Sequence, residues 1–284
     1  DGIRDQPRSG GLGDVYKRQS MGCGGANVGS CVVNVTNPDA EGITTTLLGT
    51  FGQSGCPSVG DVGSAVKFQE PTAAIGLPND LAAVADPSCQ KVYFFNLNDN
   101  SLIWASATLS YPWAFCKSPS GDVLYIVDNT NRIRKVDMTA DTYLVTDLAY
   151  YNNKYLSGCA VTSDGNTMII GFDGTNLGNG IFEVAINNPT VVLIEYTGPR
   201  DNHAVTISAD DSTIFYNHEH WGELRKITRG DANSMTSWAT TIGSKTAQSI
   251  LFSADETFAY VKTWRTIQKV SFNGNTVINL IGDP

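Results

Sequence analysis

Five stretches of this chain repeat one plan, and the repetition limits its possible folds more than any other feature. Each repeat has a short apolar run, a polar turn and a second strand-like run, as in AFCKS, PSGD and VLYIV. Equivalent positions lie 44 to 46 residues apart, at Tyr125, Ile169, Phe215 and Tyr260. A period of this length is typical of four-stranded sheets, called blades, that are arranged in a ring. The sequence therefore predicts an all-β propeller.

One central strand-like run, VLYIV, is apolar throughout. Val123 to Val127 form an unbroken apolar run, whereas a strand with one wet face would alternate apolar and polar residues. An unbroken run indicates that both faces are covered, as happens when a blade lies between two neighbours. No segment has the period and length of a helix, which argues against parallel α/β folds.

The repeats set the expected boundaries. They span about 72–109, 113–149, 156–196, 203–242 and 247–281, and the first leaves little room for a fourth strand after SLIWA. Residues 30–49 read as the outer half of a further blade. We therefore predict one domain over 30–284, a propeller of six blades with an incomplete terminal blade. Strand sharing between the chain ends would close such a ring without an exposed edge.

The first nineteen residues have no apolar pattern. DGIRDQPRSGGLGDVYKRQ resembles the translated adapter sequence that transcriptome assemblies sometimes retain, which makes residues 1–19 non-native. The alternative is a disordered basic tail.

Charge and cysteine content limit the partners and the compartment. A net charge of −9 and a pI near 4.7 disfavour nucleic acid and anionic membrane surfaces, and no apolar run is long enough for membrane insertion. Six cysteines without a C-x-x-C pair fit a secreted, disulfide-containing protein. Buried, unpaired cysteines are the alternative, which we favour for Cys116 and Cys159 on predicted inner strands.

Two segments resemble a known family. Asn131 to Ala149 (NRIRKVDMTADTYLVTDLA) resembles the third and fourth strands of an NHL repeat. Ile43 to Ile75, with its Gly-rich loop, resembles the junction between two such repeats. The resemblance implies an NHL-like propeller over about 43–281, a scaffold that binds proteins or ligands more often than it catalyses.

Connections between second and third strands should emerge on the same side of the ring as the loops between blades, and we expect binding there. Aromatic and polar side chains predicted on that side make a plausible binding surface. The candidate ligand-binding residues are Asp99, Trp113, Asp128, Asp173, Asp201, Asn202, Trp221 and Trp264. The alternative is that turns are rich in Asn and Asp for conformational reasons alone.

All three histidines fall in the fourth repeat. His218 and His220 are two residues apart on an extended segment and would point the same way, and His203 opens the same repeat. With a nearby carboxylate they could bind zinc or a similar ion. The alternative is that they are ordinary surface residues of a turn.

We expect a non-catalytic scaffold that binds a protein or an extended polar ligand, with no cofactor assigned. The alternative is a calcium- or zinc-dependent hydrolase or lyase, similar to the gluconolactonase and regucalcin group or to peptide-amidating lyases. Three acidic or His side chains from different blades meeting near one point would favour the enzyme.

Overall fold

The computed structural model describes the chain in segments. They are residues 20–23, 31–34, 48, 53–140, 142–152, 154–174, 179–198, 204–218, 223–240, 247–253, 255–263, 266–274 and 276–281. Residues 1–19, predicted to be non-native, lie outside them.

Twenty of the described strands form five four-stranded antiparallel sheets, each in chain order from first strand to fourth. The first blade contains β3 (Ala73–Leu77), β4 (Leu81–Asp86), β5 (Lys91–Asn96) and β6 (Ser101–Ala105). The second contains β7 (Pro112–Lys117), β8 (Val123–Asp128), β9 (Arg132–Asp137) and β10 (Val145–Tyr150). The third contains β11 (Lys154–Val161), β12 (Thr167–Gly174), β13 (Asn179–Ala185) and β14 (Asn188–Gly198). The fourth contains β15 (Val205–Ile207), β16 (Thr213–His218), β17 (Glu223–Thr228) and β18 (Thr236–Thr240). The fifth contains β19 (Ala247–Phe252), β20 (Phe258–Thr263), β21 (Ile267–Ser271) and β22 (Val277–Ile281).

The all-β propeller of four-stranded blades is confirmed, and the four residues that set the period all lie on second strands. The described residues form five blades, not the predicted six. From 30–49 they include only β2 (Cys31–Asn34) and Leu48, and β2 pairs with β1 (Ser20–Cys23) in a separate two-stranded sheet beside β3. A three-residue 3₁₀ turn (Gly63–Ala65) precedes the first blade.

The first blade is complete, which corrects the prediction that it lacks a fourth strand. Pro78, Asn79 and Asp80 form a tight turn between β3 and β4, and both Asn79 and Asp80 have positive φ (59° and 57°). Asn and Asp tolerate this conformation better than most residues. Because this turn adds a strand before Leu81, SLIWA becomes the fourth strand, β6, rather than the third.

The turn between first and second strands follows one design in blades three to five. A hydroxyl that directly follows the first strand, on Thr162, Ser208 or Ser253, donates to the aspartate two residues later at 2.6–2.7 Å. The same oxygen accepts the backbone N–H five residues on, at 3.0–3.2 Å. These bonds close the turn locally, which explains the Ser/Thr-x-Asp pattern in the sequence.

Side chains between adjacent blades form the core. Four buried apolar clusters fill the spaces between consecutive blades, from the first to the fifth. A fifth cluster covers the outer face of blade one, where Leu48, Val66 and Phe68 pack on Tyr93 and Phe95. The burial of Leu124 to Val127 on β8 agrees with the prediction from its unbroken apolar run.

Two disulfides reinforce this arrangement. Cys116 on β7 bonds to Cys159 on β11, which joins the inner strands of neighbouring blades with Cα atoms 5.6 Å apart. Both residues are buried as predicted, but they are bonded rather than unpaired because adjacent inner strands bring them together. Cys56 bonds to Cys89 and ties the Gly-rich loop before blade one to the turn between β4 and β5.

Candidate functional site

The antiparallel order of each blade defines two faces of the ring. We call the side that carries the second-to-third-strand turns and the loops between blades the loop face. The opposite side, with the first-to-second and third-to-fourth-strand turns, is the turn face.

Asp99 was expected on the loop face, but it lies between β5 and β6 and therefore on the turn face. There its carboxylate accepts the backbone N–H and the hydroxyl of Ser101, which lowers its pKa.

Trp113 does lie at the loop face, on the inner strand β7. Its ring stacks on that of Tyr111, with centroids 5.8 Å apart and planes 12° from parallel. Tyr111 has φ of +87°, which is a steric outlier for a bulky residue, and its side chain is 36% exposed. Burial, followed by the nearby Glu70 carboxylate, raises the pKa of Tyr111. The residue that precedes the inner strand of blade two therefore combines a strained backbone with an exposed aromatic ring.

Two further exposed tyrosines lie at the loop face. Tyr150, 56% exposed, ends the outer strand β10, and Tyr155, 43% exposed, lies near the start of the inner strand β11. The turn between β8 and β9 is bonded to Tyr111 and to Tyr151, the residue after Tyr150. The Asn129 N–H donates to the Tyr111 carbonyl at 3.0 Å, and the Tyr151 N–H donates to the Asn131 carbonyl at 2.8 Å. We call Tyr111, Trp113, Tyr150 and Tyr155 the aromatic row.

Asp128 ends β8 at the loop face, but its charge is used inside the fold. Its side chain is fully buried and forms an ion pair with the Arg134 guanidinium. It also accepts the N–H and the hydroxyl of Thr130. Arg134 extends the pair to Asp147, at 2.9 Å. Asp128 thus stabilises the turn between β8 and β9, which is bonded to Tyr111 and Tyr151.

The remaining candidates are described in part or not at all. Asp173 lies on β12, opposite Tyr155 in the strand register, and its side chain lies outside the described residues. His218 ends β16, so the expected position at a loop-face turn holds for its backbone. The positions outside the described residues are Asp201, Asn202, His203, His220, Trp221 and Trp264.

The five inner strands surround a central cavity of about 440 Å³. Most of the residues that line it are apolar, and they include Trp113 and Phe115 from β7. The polar residues that line it are Thr72, Lys117, Ser157, Thr206, Gln248, Ser249 and Lys262. The lining includes no carboxylate and no His within the described part of the chain.

Two lysines therefore supply the charge of this cavity. Lys117, at the turn-face end of β7, donates to the Gly76 carbonyl at 2.9 Å, and burial lowers its pKa. Lys262, near the loop-face end of β20, is 9% exposed and donates to the Gln248 amide oxygen. Burial lowers the pKa of Lys262 to about 8. Neither residue was among the predicted site residues, although a lysine inside an otherwise apolar strand such as FAYVKT was an available signal.

A divalent metal finds few suitable ligands in this cavity. Calcium prefers carboxylate and carbonyl oxygens, and zinc prefers Cys, His and carboxylates. Among the described residues, no three His, Cys, Asp or Glu side chains are grouped to hold an ion. The side chains of the predicted metal ligands His203, His218 and His220 lie outside the described residues.

Comparison with known proteins supports the fold and identifies no family. No family model matches the chain, and no curated protein matches it in sequence. Among solved structures, hydrazine synthase from Kuenenia stuttgartiensis is similar with a TM-score of 0.59 over 75% of this chain and 67% of that one. The two are 12% identical, so the likeness supports the propeller fold alone. Among the described residues, no helix is long and apolar enough to cross a membrane.

Proposed function

We propose that this propeller is a non-catalytic scaffold that binds a protein or an extended polar ligand on its loop face. The observation that carries the proposal is Tyr111, a bulky residue held at positive φ and stacked on Trp113 at the entrance of blade two. Such a conformation costs about 1–3 kcal/mol and is concentrated at binding and active sites. Folding stability alone gives no reason to place an exposed tyrosine there.

The rest of the aromatic row supports the same interpretation. Tyrosine rings offer a large contact area with few rotatable bonds, and each hydroxyl gives a polar end. Arg132, whose guanidinium lies 5.4 Å from the centre of the Tyr150 ring and pairs with Asp147 at 2.5 Å, adds donors beside the row. A partner with polar groups and flat or extended surfaces fits these residues. The net charge of −9 supports a protein or polar ligand over nucleic acid or an anionic membrane.

We also propose an NHL-like relationship and a sixth blade. The segment that resembles an NHL repeat, Asn131 to Ala149, lies on the third and fourth strands of blade two, as the resemblance implies. Ile278 and Leu280 on β22 are 50% and 48% exposed, and Ile278 pairs with Lys269 on the side of blade five that faces away from blade four. A sixth blade, with its outer half in residues 30–49 as the sequence predicts, would cover this side. Two disulfides support a secreted or secretory-pathway protein.

A selection experiment tests the binding proposal. Displayed peptides and an oligosaccharide array would be screened against the wild-type chain, and the ligands obtained would be titrated against variants. Tyr111→Gly removes the ring and also relieves the positive φ, and thermal unfolding of the variant separates a loss of binding from a loss of stability. We expect Tyr111→Gly and Tyr155→Ala each to weaken binding about tenfold or more, as for aromatic residues at the centre of interfaces.

Asp99→Ala on the turn face is the matched control and should bind as the wild type does. If no ligand emerges, or if binding depends on Asp99 and not on Tyr111, the proposal is wrong. No contact among the described residues favours the metal-dependent hydrolase or lyase.

A further inference from the structure

We propose that the central cavity is a second binding site, for a small organic carboxylate held by Lys262 and Gln248. The site lies inside the ring rather than on the loop face, and Trp113 borders both. The inference does not depend on the function proposed for the loop face.

The position of Lys262 is the first argument. Its side chain is 9% exposed, lines the cavity, and donates to the amide oxygen of Gln248. Burial lowers its pKa, and the described lining of the cavity holds no carboxylate that could pair with it. A buried ammonium group without a carboxylate partner is costly, and such groups are concentrated at functional sites. A ligand carboxylate would supply the missing negative charge.

Gln248 completes the anion contact. Its side-chain oxygen accepts from Lys262, which leaves the amide nitrogen of the same group to donate to a ligand oxygen. Ser249, on the same inner strand, lies opposite Lys262 in the register and also lines the cavity. An ammonium, an amide N–H and a hydroxyl are therefore gathered at the loop-face end of the channel.

The walls define the remainder of the ligand. The lining of the cavity, in the described part of the chain, includes no acidic residue, although the whole chain has a net charge of −9. Its apolar side chains, with Trp113 and Phe115, favour an uncharged body behind the carboxylate. The volume of about 440 Å³ lies within the range of small-molecule sites. Lys117 at the far end adds a second cation that would strengthen the binding of any anion inside.

Thermal unfolding with simple probes tests the proposal. Acetate, benzoate and octanoate would each be compared with the corresponding uncharged amide at constant ionic strength, with inorganic phosphate as a further anion. We expect benzoate or octanoate to raise Tm by several degrees at about ten times its dissociation constant, and the amides to have no such effect. Lys262→Met should abolish the rise, and Lys117→Met should reduce it.

Lys135→Met is the matched control, since Lys135 is exposed on β9 far from the channel lining, and it should keep the full rise. The proposal is overturned if no carboxylate raises Tm above its amide. It is also overturned if the rise persists in Lys262→Met, or if phosphate produces the same rise in every variant. Tyr111→Gly should leave carboxylate binding intact and Lys262→Met should leave loop-face binding intact, so the two proposals can fail separately.

Discussion

At the scale of one residue, Lys262 lowers the free energy of unfolding because its ammonium group is buried. Its ammonium is buried against a neutral amide, and the desolvation that results is the cause of its lowered pKa. Tyr111 is a second case, in which the cost is backbone strain rather than desolvation. Both residues lie where a ligand could approach, one in the channel and one on the loop face.

The pKa of Lys262 leads to a prediction about stability and pH. Below about pH 8 the lysine is charged in both states, so the folded protein bears the full cost of burial. Between about pH 8 and 10.5 the folded amine is neutral while the unfolded one stays charged, so wild-type stability rises with pH. Lys262→Met should therefore be more stable than the wild type by about 2–3 kcal/mol at pH 7, and the difference should shrink towards pH 10.5. Urea unfolding of both proteins across this range measures it, and a Met variant less stable at pH 7 would contradict it.

At the scale of elements, the turns between first and second strands link the blades as well as closing themselves. The position three residues after the turn hydroxyl has positive φ in blades two to five, at Gly121, Gly165, Asp211 and Glu256. Gly121 allows Pro78 of the preceding blade to approach closely, and Pro119 of blade two lies beside Gly165 at ordinary contact distance. The carboxylates of the other two bond to the preceding blade. Asp211 accepts the Ser163 N–H, and Glu256 accepts the Ala209 N–H. The sequence predicted these turns from PSGD, SDGN, ADDS and ADET, but the links between blades depend on tertiary contacts.

Substitutions at Asp211 separate the two roles of this position. Asp211→Ala loses the bonds to Ser163 and places a Cβ-bearing residue in a left-handed conformation without the local bonding of Asp, so we expect a loss of about 1–2 kcal/mol. Asp211→Gly loses the bonds but relieves the conformation and should be less harmful. Asp211→Asn keeps an acceptor and should be close to the wild type. Chemical denaturation of the three variants gives the order, and an unchanged Asp211→Ala would show that the link contributes nothing.

For the whole molecule, the sequence predicted the ring and much of its order but not the number of blades seen. The unbroken apolar run from Val123 to Val127 indicated covered strands, because burial on both faces is a local property of composition. Asp99 was assigned to the wrong face because the short turn at Asn79 hid one strand, and a missed strand reverses every later turn in a blade. The strain at Tyr111 could not be predicted, and neither could the meeting of Lys117 and Lys262 in one cavity, since both depend on how distant strands meet. Lys262 inside FAYVKT was nevertheless a local signal.

The disulfide between blades two and three gives a prediction for the ring. Cys116 and Cys159 are 43 residues apart, and a crosslink over such a loop stabilises a protein by about 2–4 kcal/mol. The double variant Cys116→Ala and Cys159→Ala should lose this amount in urea unfolding, with the circular dichroism of the folded protein unchanged. Thiol titration of the unfolded wild type should find neither cysteine free, and reactive thiols at both positions would contradict the assignment.

Hydrogen exchange with a selected loop-face ligand bound tests the central claim most directly. The account predicts slower exchange at loop-face amides in 106–113, 129–132 and 150–156, because the ligand would cover the aromatic row and the turn that supports it. The turn-face amides in 118–122, 162–166 and 208–212 should exchange as in the free protein. Protection confined to the turn face, or no protection near Tyr111 at saturating ligand, would contradict the account.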